Sequence, residues 1–180
     1  DAIHLALICS GISPDDEVIV PDLTWVASAA PICHLGAKPV FADVDEVSWC
    51  ISTDSLLANI SSKTKAVVVV DLLGNLPNWS RIKSVCAEHN IRIIEDAAES
   101  LGGSYLGKPA GSFGDISVFS FSATKLIMSQ QGGALCTDDE EIYLRAKSLA
   151  HHGINEAVTG KYYWSQHLGH NYLWTNIQAA

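Results

Sequence analysis

Lys125 follows an apolar run, Val118-Phe119-Ser120-Phe121, and precedes Gln131-Gly132-Gly133. Upstream, Ile91-Arg92-Ile93-Ile94 leads into Glu95-Asp96-Ala97-Ala98. An amine and a carboxylate, each at the exit of a strand-like run, are the pair that pyridoxal phosphate chemistry requires. The amine forms a Schiff base with the aldehyde, and the acid keeps the pyridine nitrogen protonated so that the ring accepts electrons. One lysine after one strand has little meaning by itself. The weight comes from the elements that place both groups on the same edge.

Those elements alternate. The pattern predicts strands at Glu17–Pro21, Pro39–Asp43, Lys65–Asp71, Ile91–Asp96, Ile116–Phe121 and Gly133–Thr137. Helices are predicted at Ala2–Ser10, Thr24–Leu35, Thr53–Ile60, Trp79–His89 and Asp138–His151, with an irregular segment from Asn155 to Trp174 before a last helix. Runs such as Ala66-Val67-Val68-Val69-Val70 are apolar throughout, as in a strand covered on both faces. The expected fold is therefore α/β, a mostly parallel sheet with flanking helices. In such a sheet functional groups collect at the carboxyl ends of the strands. Asp96, Ser120, Lys125 and the segment after Val20 all fall there.

Composition narrows the function. The 180 residues are 48% hydrophobic and 17% charged, with a net charge of −9. That charge disfavours nucleic acid, whose phosphates call for clustered Lys and Arg, while one phosphorylated ligand can still sit on backbone amides at a helix start. The apolar runs are too short for a membrane span. Cys9, Cys33, Cys50, Cys86 and Cys136 are scattered, odd in number and without C-x-x-C spacing, which predicts free thiols in a reducing cytoplasm. The chain starts with Asp inside one helical segment and stops inside another at Ile177-Gln178-Ala179-Ala180, which predicts a piece of a longer protein.

On these residues the chain resembles the sugar aminotransferases of the DegT/DnrJ/EryC1/StrS family, pyridoxal phosphate enzymes of the aspartate aminotransferase fold (fold type I). The resemblance runs from Asp1 to Ala180. Its carriers are Asp16-Glu17-Val18-Ile19-Val20-Pro21, Leu35-Gly36-Ala37-Lys38-Pro39-Val40-Phe41, Glu95-Asp96-Ala97-Ala98, Gly111-Ser112-Phe113-Gly114-Asp115 and Phe119-Ser120-Phe121 through Thr124-Lys125. It implies that residues 1–180 are the central part of the cofactor-binding large domain. An N-terminal segment and a small C-terminal domain would lie outside the chain.

The resemblance also implies roles. Lys125 matches the Schiff-base lysine, whose freed amine moves protons, and Asp96 the partner of the pyridine nitrogen; a helix N-cap is the competing reading for Asp96. Trp25 matches the aromatic stacked on the ring, against an ordinary core aromatic. Ser120 matches a hydroxyl donor to the phosphate, against a strand-end serine that satisfies backbone. Glu99 stands where many members carry Gln or His near the ring oxygen, so accepting a proton there competes with capping a following helix. Asn171, in Gly169-His170-Asn171-Tyr172, matches an Asn reaching the phosphate in a neighbouring subunit.

Three departures accompany these matches. The family's Gly-Thr phosphate donors would precede Asp1, leaving the Asp1 amide as the remainder of that cradle. The small domain would follow Ala180. Gln130 replaces the first glycine of the loop after the lysine, removing backbone freedom there.

The implied activity is transfer of an amino group from glutamate to a nucleotide-linked keto-sugar, in amino-sugar and polysaccharide biosynthesis, by a homodimer with a shared active site. Pro21-Asp22-Leu23-Thr24-Trp25, Val70-Asp71-Leu72-Leu73-Gly74-Asn75 and the acidic Glu99 lean toward perosamine-type members. The alternatives are a non-catalytic regulatory or interaction module on the same scaffold and a pyridoxal phosphate-dependent sugar dehydratase, a branch that carries His in place of the lysine. Other constellations fall away. His151-His152 and His167-x-x-His170 lack Cys or acidic partners at zinc-ligand spacing, and Asp43-Val44-Asp45 lacks the Gly and Glu of a calcium loop. Gly102-Gly103 and Gly107 around Tyr105 predict a turn or hairpin rather than a dinucleotide fingerprint, and no G-x-S-x-G elbow is present.

Overall fold

The computed structural model describes residues 1–155, 160 and 164–179. Residues 156–159 and 161–163 of the expected irregular segment, and Ala180 of the last helix, lie outside the described residues. In chain order the elements are α1 (Ala2–Cys9), β1 (Glu17–Pro21), α2 (Val26–His34), β2 (Lys38–Ala42), α3 (Thr53–Ala58), β3 (Thr64–Val70), a 3-10 turn (Leu72–Gly74), α4 (Trp79–His89), β4 (Arg92–Asp96), β5 (Ser104–Tyr105), β6 (Lys108–Pro109), β7 (Ile116–Ser120), β8 (Gly133–Cys136), α5 (Glu140–Ala150) and α6 (Asn176–Ala179).

Six strands form one sheet in the order β2-β1-β3-β4-β7-β8. The first five are mutually parallel, and β8 runs antiparallel to β7. Successive side chains in a strand point to opposite faces, and β3 shows the result. Ala66, Val68 and Val70 join Val18, Val20, Ile94 and Val118 under α1, α2 and α5. Val67 and Val69 join Ile19, Ile93 and the α4 residues Trp79, Ile82, Val85 and Cys86 on the other face. Two layers of helices thus bury both sides, which is why the strand sequences lack polar alternation.

Local chemistry sets the helix ends. Asn78 accepts a hydrogen bond from the Arg81 amide at α4, Asp139 accepts from Glu141 and Ile142 at α5, and Ser52 accepts from Ser55 at α3. The predicted α2 start at Thr24 moves to Val26, because Trp25 keeps an extended backbone (φ −68°, ψ 143°) as the N-cap. The Tyr105 segment forms the β5–β6 hairpin. The cysteines are all free thiols, and burial pushes Cys9 and Cys50 up to about 11 and Cys86 to about 12. Among the described residues no helix is long and apolar enough to cross a membrane.

Trp79 anchors the second core layer. It is 1% exposed and stacks on Phe113, with ring centroids 5.1 Å apart and planes 12° from parallel. Trp79→Ala removes a large buried aromatic and leaves a cavity, so it should lower the unfolding free energy by about 3–5 kcal/mol. Urea titration followed by far-ultraviolet circular dichroism checks this; a loss below about 1 kcal/mol contradicts the anchoring role.

Candidate active site

The parallel pairing of β4 with β7 sets Asp96 opposite Val118. The exits of these two neighbouring strands therefore deliver Asp96 and Ser120 to one edge of the sheet. Past Ser120 the chain makes an excursion pinned by two backbone bonds, Phe121 N–H to the Gly132 carbonyl and Ser129 N–H to the Phe121 carbonyl, both 2.9 Å. Lys125 lies on it, its amide bonded to the Ser122 carbonyl at 3.0 Å. Gln130 takes φ +64°, the left-handed region that a glycine would enter freely and that costs another residue roughly 1–2 kcal/mol.

Asp96 is 4% exposed. The Ser28 hydroxyl donates to its Oδ2 at 2.8 Å and the Ala98 amide to its Oδ1 at 3.2 Å. Ser28 is itself buried in α2 and 2.9 Å from the Thr24 hydroxyl. Burial pushes the Asp96 pKa up, against the lowering effects of Ser28, the Ala98 amide and the Lys125 charge. No helix follows Asp96 or Glu99; residues 98–102 form turns. The helix-capping readings of both residues are therefore corrected. Asp96 instead makes a short bond to the amide two residues on.

Glu99 bridges two loops. Its Oε1 accepts from Lys125 Nζ at 3.1 Å, and its Oε2 accepts from the Leu73 amide at 2.8 Å. Burial works against the Glu99 charge, yet the Leu73 amide and Lys125 outweigh it and hold the pKa below the usual value. Trp25, at the start of α2, is 76% exposed and so is no core aromatic.

Ser120, Asp1 and Asn171 line one cavity of about 630 Å³, together with Ser122, Gln131 and Trp174. Asp1 stands at the start of α1, where the first-turn amides lack intrahelical partners. Asn171 lines it with its backbone in a β-bridge with His151. Asp96, Glu99, Lys125 and Trp25 are not among the residues that line this cavity. The carboxylate, amine and indole belong to the loops around the strand exits, and the hydroxyls belong to the cavity.

A pyridoxal phosphate fits this donor set. The cavity offers the Ser120 and Ser122 hydroxyls and a helix start to a phosphate. Asp96 is a nearly buried carboxylate with two hydrogen bonds and, among the described residues, no ion pair, an environment that a cationic ring nitrogen would complete. Lys125 offers a primary amine, and Trp25 an exposed flat face.

The chain matches the DegT/DnrJ/EryC1/StrS aminotransferase family over residues 1–180. Its fold is that of the pyridoxal phosphate-dependent aminotransferases, and the chain belongs to this family. It is 41% identical over 179 residues to the GDP-perosamine synthase of Caulobacter vibrioides, covering 99% of this chain and 47% of that protein. It is also 41% identical to the GDP-perosamine synthase of Escherichia coli O157:H7, covering 99% and 48%. The chain thus spans about half the length of these relatives. The aminotransferase from Psychrobacter cryohalolentis superposes with a TM-score of 0.94 at 34% identity, over 99% of this chain and 47% of that one. A putative sugar aminotransferase of Streptococcus pneumoniae in its PLP form gives 0.90 at 32% identity, over 99% and 50%.

Several residues of this region escape sequence reasoning. Ser28 sits in a helix with nothing local to mark it, and only the fold brings it to Asp96. Glu95 is fully buried. It accepts from the amides of Gly111 (2.5 Å), Phe113 (2.7 Å) and Gly114 (3.0 Å) and from the Ser117 hydroxyl (2.8 Å). Its signal was available: a charged residue inside an apolar strand must find several donors. At Gly114 a Cβ would approach Glu95 within 2.9 Å, which accounts for one glycine of Gly111-Ser112-Phe113-Gly114-Asp115.

Ser28→Ala removes a donor from a buried acceptor. It should cost about 1–3 kcal/mol of stability and raise the Asp96 pKa further. Urea titration, with a carboxyl NMR titration of Asp96, checks both; an unchanged Asp96 pKa contradicts the assigned contact.

Proposed function

We propose that the whole protein is a pyridoxal phosphate-dependent aminotransferase that moves an amino group, drawn from glutamate, onto a nucleotide-linked keto-sugar. The observation that carries this reading is the arrangement at the strand exits: Asp96 buried without an ion pair among the described residues, Lys125 held on the adjacent excursion, and Ser120 facing a cavity at the same edge. The likeness to GDP-perosamine synthases supports a sugar substrate, and perosamine-type amination at C4 is the particular reaction we favour.

When bound, the cofactor supplies an electron-withdrawing ring that stabilises negative charge at the substrate carbon. The chain's residues do the remainder. Asp96, anchored by Ser28 and the Ala98 amide, holds a proton at the ring nitrogen. Lys125 would hold the cofactor through its amine and would move protons to and from the reacting carbon. Glu99 orients that amine through its 3.1 Å contact. Trp25 would pack on the ring face, Ser120 and the α1 start at Asp1 would hold the phosphate end, and Asn171 would serve the phosphate of the neighbouring subunit's cofactor.

The chain is read as the central part of the large domain. A small C-terminal domain and a second subunit complete the substrate pocket of a cytoplasmic homodimer. The exposed Leu126-Ile127-Met128 beside Lys125 supports such a covered surface.

Whole protein mixed with pyridoxal phosphate should show the long-wavelength absorption of a lysine-bound cofactor, lost in Lys125→Ala together with at least about a hundredfold of activity. Glutamate should then yield 2-oxoglutarate. An unchanged spectrum in Lys125→Ala removes that residue from its role. Absence of 2-oxoglutarate with every nucleotide keto-sugar tried favours the regulatory module.

A further inference from the structure

Across the sheet from the Asp96 side chain, two more carboxyl groups are sealed from solvent. Asp71 directly follows β3, and Glu95 is the penultimate residue of β4; neither has exposed surface. The register pairs Val69 with Glu95 and Val70 with Asp96, and the Asp71 amide continues the ladder to the Asp96 carbonyl at 3.1 Å. By strand alternation Asp71 and Glu95 share the face of Val69, and Asp96 takes the other.

The two acids are served unequally. Glu95 accepts four hydrogen bonds, three of them from backbone amides. Asp71 accepts one, from the Ser100 hydroxyl to Oδ2 at 2.9 Å, and its Oδ1 is buried with no donor. Two residues past Val69, Asp71 is the diagonal neighbour of Glu95 on the same face of the paired strands, and the Glu95 charge acts on its carboxyl. Among the described residues the ion pairs are Glu17–Lys38, Asp54–Arg81 and Glu99–Lys125, so no cation is paired with either acid. The other titratable groups facing Asp71 are Asp96 across the sheet and the Cys50 thiol, which donates to the Asn75 carbonyl. None brings positive charge.

Two neighbouring buried carboxylates without a cation in a dry interior do not both ionise. Four donors fix the negative charge on Glu95. The proton therefore belongs on Asp71, where it turns an orphaned acceptor into a satisfied donor.

We propose that Asp71 is held as a neutral carboxylic acid whose Oδ1–H donates to the Glu95 carboxylate, and that this pair is a positioning device clamping the exits of β3 and β4 to the Gly111–Gly114 turn behind Asp96. The pair stands on this chain's own geometry; its service to Asp96 rests on the function proposed above. Burial first, then the Glu95 charge, raise the Asp71 pKa from its ordinary 3.8 to about 8. Folding thus takes up a proton wherever the unfolded Asp71 is ionised and the folded one is not. The contribution to stability is full below the unfolded pKa, falls as pH rises from about 3.8 to about 8, and is constant above.

Asp71→Asn replaces the acid's O–H with an amide N–H that donates to Glu95 at every pH. In the whole protein, without substrate, the infrared carbonyl band of a protonated carboxyl should be present at neutral pH and absent in Asp71→Asn. The urea midpoint of Asp71→Asn should gain on the natural protein as pH rises through the window. Asp71→Ala should lose stability at acidic pH, where Asp71→Asn does not. Absence of the band, or a midpoint difference that does not change with pH, overturns the pair. If the band and the pH trend are present while glutamate yields no 2-oxoglutarate, the pair stands and the aminotransferase reading falls.

Discussion

In β4, Glu95 and Asp96 are adjacent, and the strand's period of two sends them to opposite faces of a sheet that is buried on both sides. Neither carboxylate reaches bulk water, so each must be matched by donors. Glu95 gathers the backbone of Gly111, Phe113 and Gly114 and so ties the turn before β7 to the middle of the sheet. Asp96 gathers the Ser28 hydroxyl from α2 and the Ala98 amide. One acid builds the frame that holds the other at the strand exit. Moving β4 by a single residue would exchange their faces and lose both sets of partners.

The charges near the strand exits follow from the same economy. Lys125 does not stand free in solvent; Glu99 holds its amine, and the Leu73 amide holds Glu99. Leu73 and Gln130, on the two loops flanking this contact, both take positive φ. Backbone in that region costs free energy and persists only where surrounding contacts over-determine it. The bond from Leu73 to Glu99 and the backbone ladder from Phe121 to Gly132 are such contacts. The amine's position is thus set by two strained loops braced against a rigid sheet.

Much of the frame was legible in the linear chain. The apolar run Ala66-Val67-Val68-Val69-Val70 identified β3 because strands covered on both faces need no polar alternation. The stretch through Ser120 to Lys125 identified the chemistry, since an amine past a buried strand and an acid past its neighbour form an uncommon combination. The start of α2 was less legible. Trp25 lies in a helix-compatible run, yet it takes an extended backbone and its carbonyl accepts from the Ser28 amide as the N-cap. The helix-cap roles of Asp96 and Glu99 failed because the turn that follows them serves Ser100 and Asp71 across the sheet.

The order of strand-forming and helix-forming segments, the residue types at the strand exits and the family resemblance are properties of the sequence alone, because they depend on periodicity and on neighbours a few positions apart. Which groups meet was decided by the tertiary structure. Ser28 with Asp96, Glu99 with Lys125 and Asp71 with Glu95 join residues far apart in the chain, and their contacts exist only once β3, β4 and β7 lie parallel in one register. Burial does the rest: the same carboxyl groups would be ordinary acids in water, and the dry core raises the pKa of both Asp71 and Asp96.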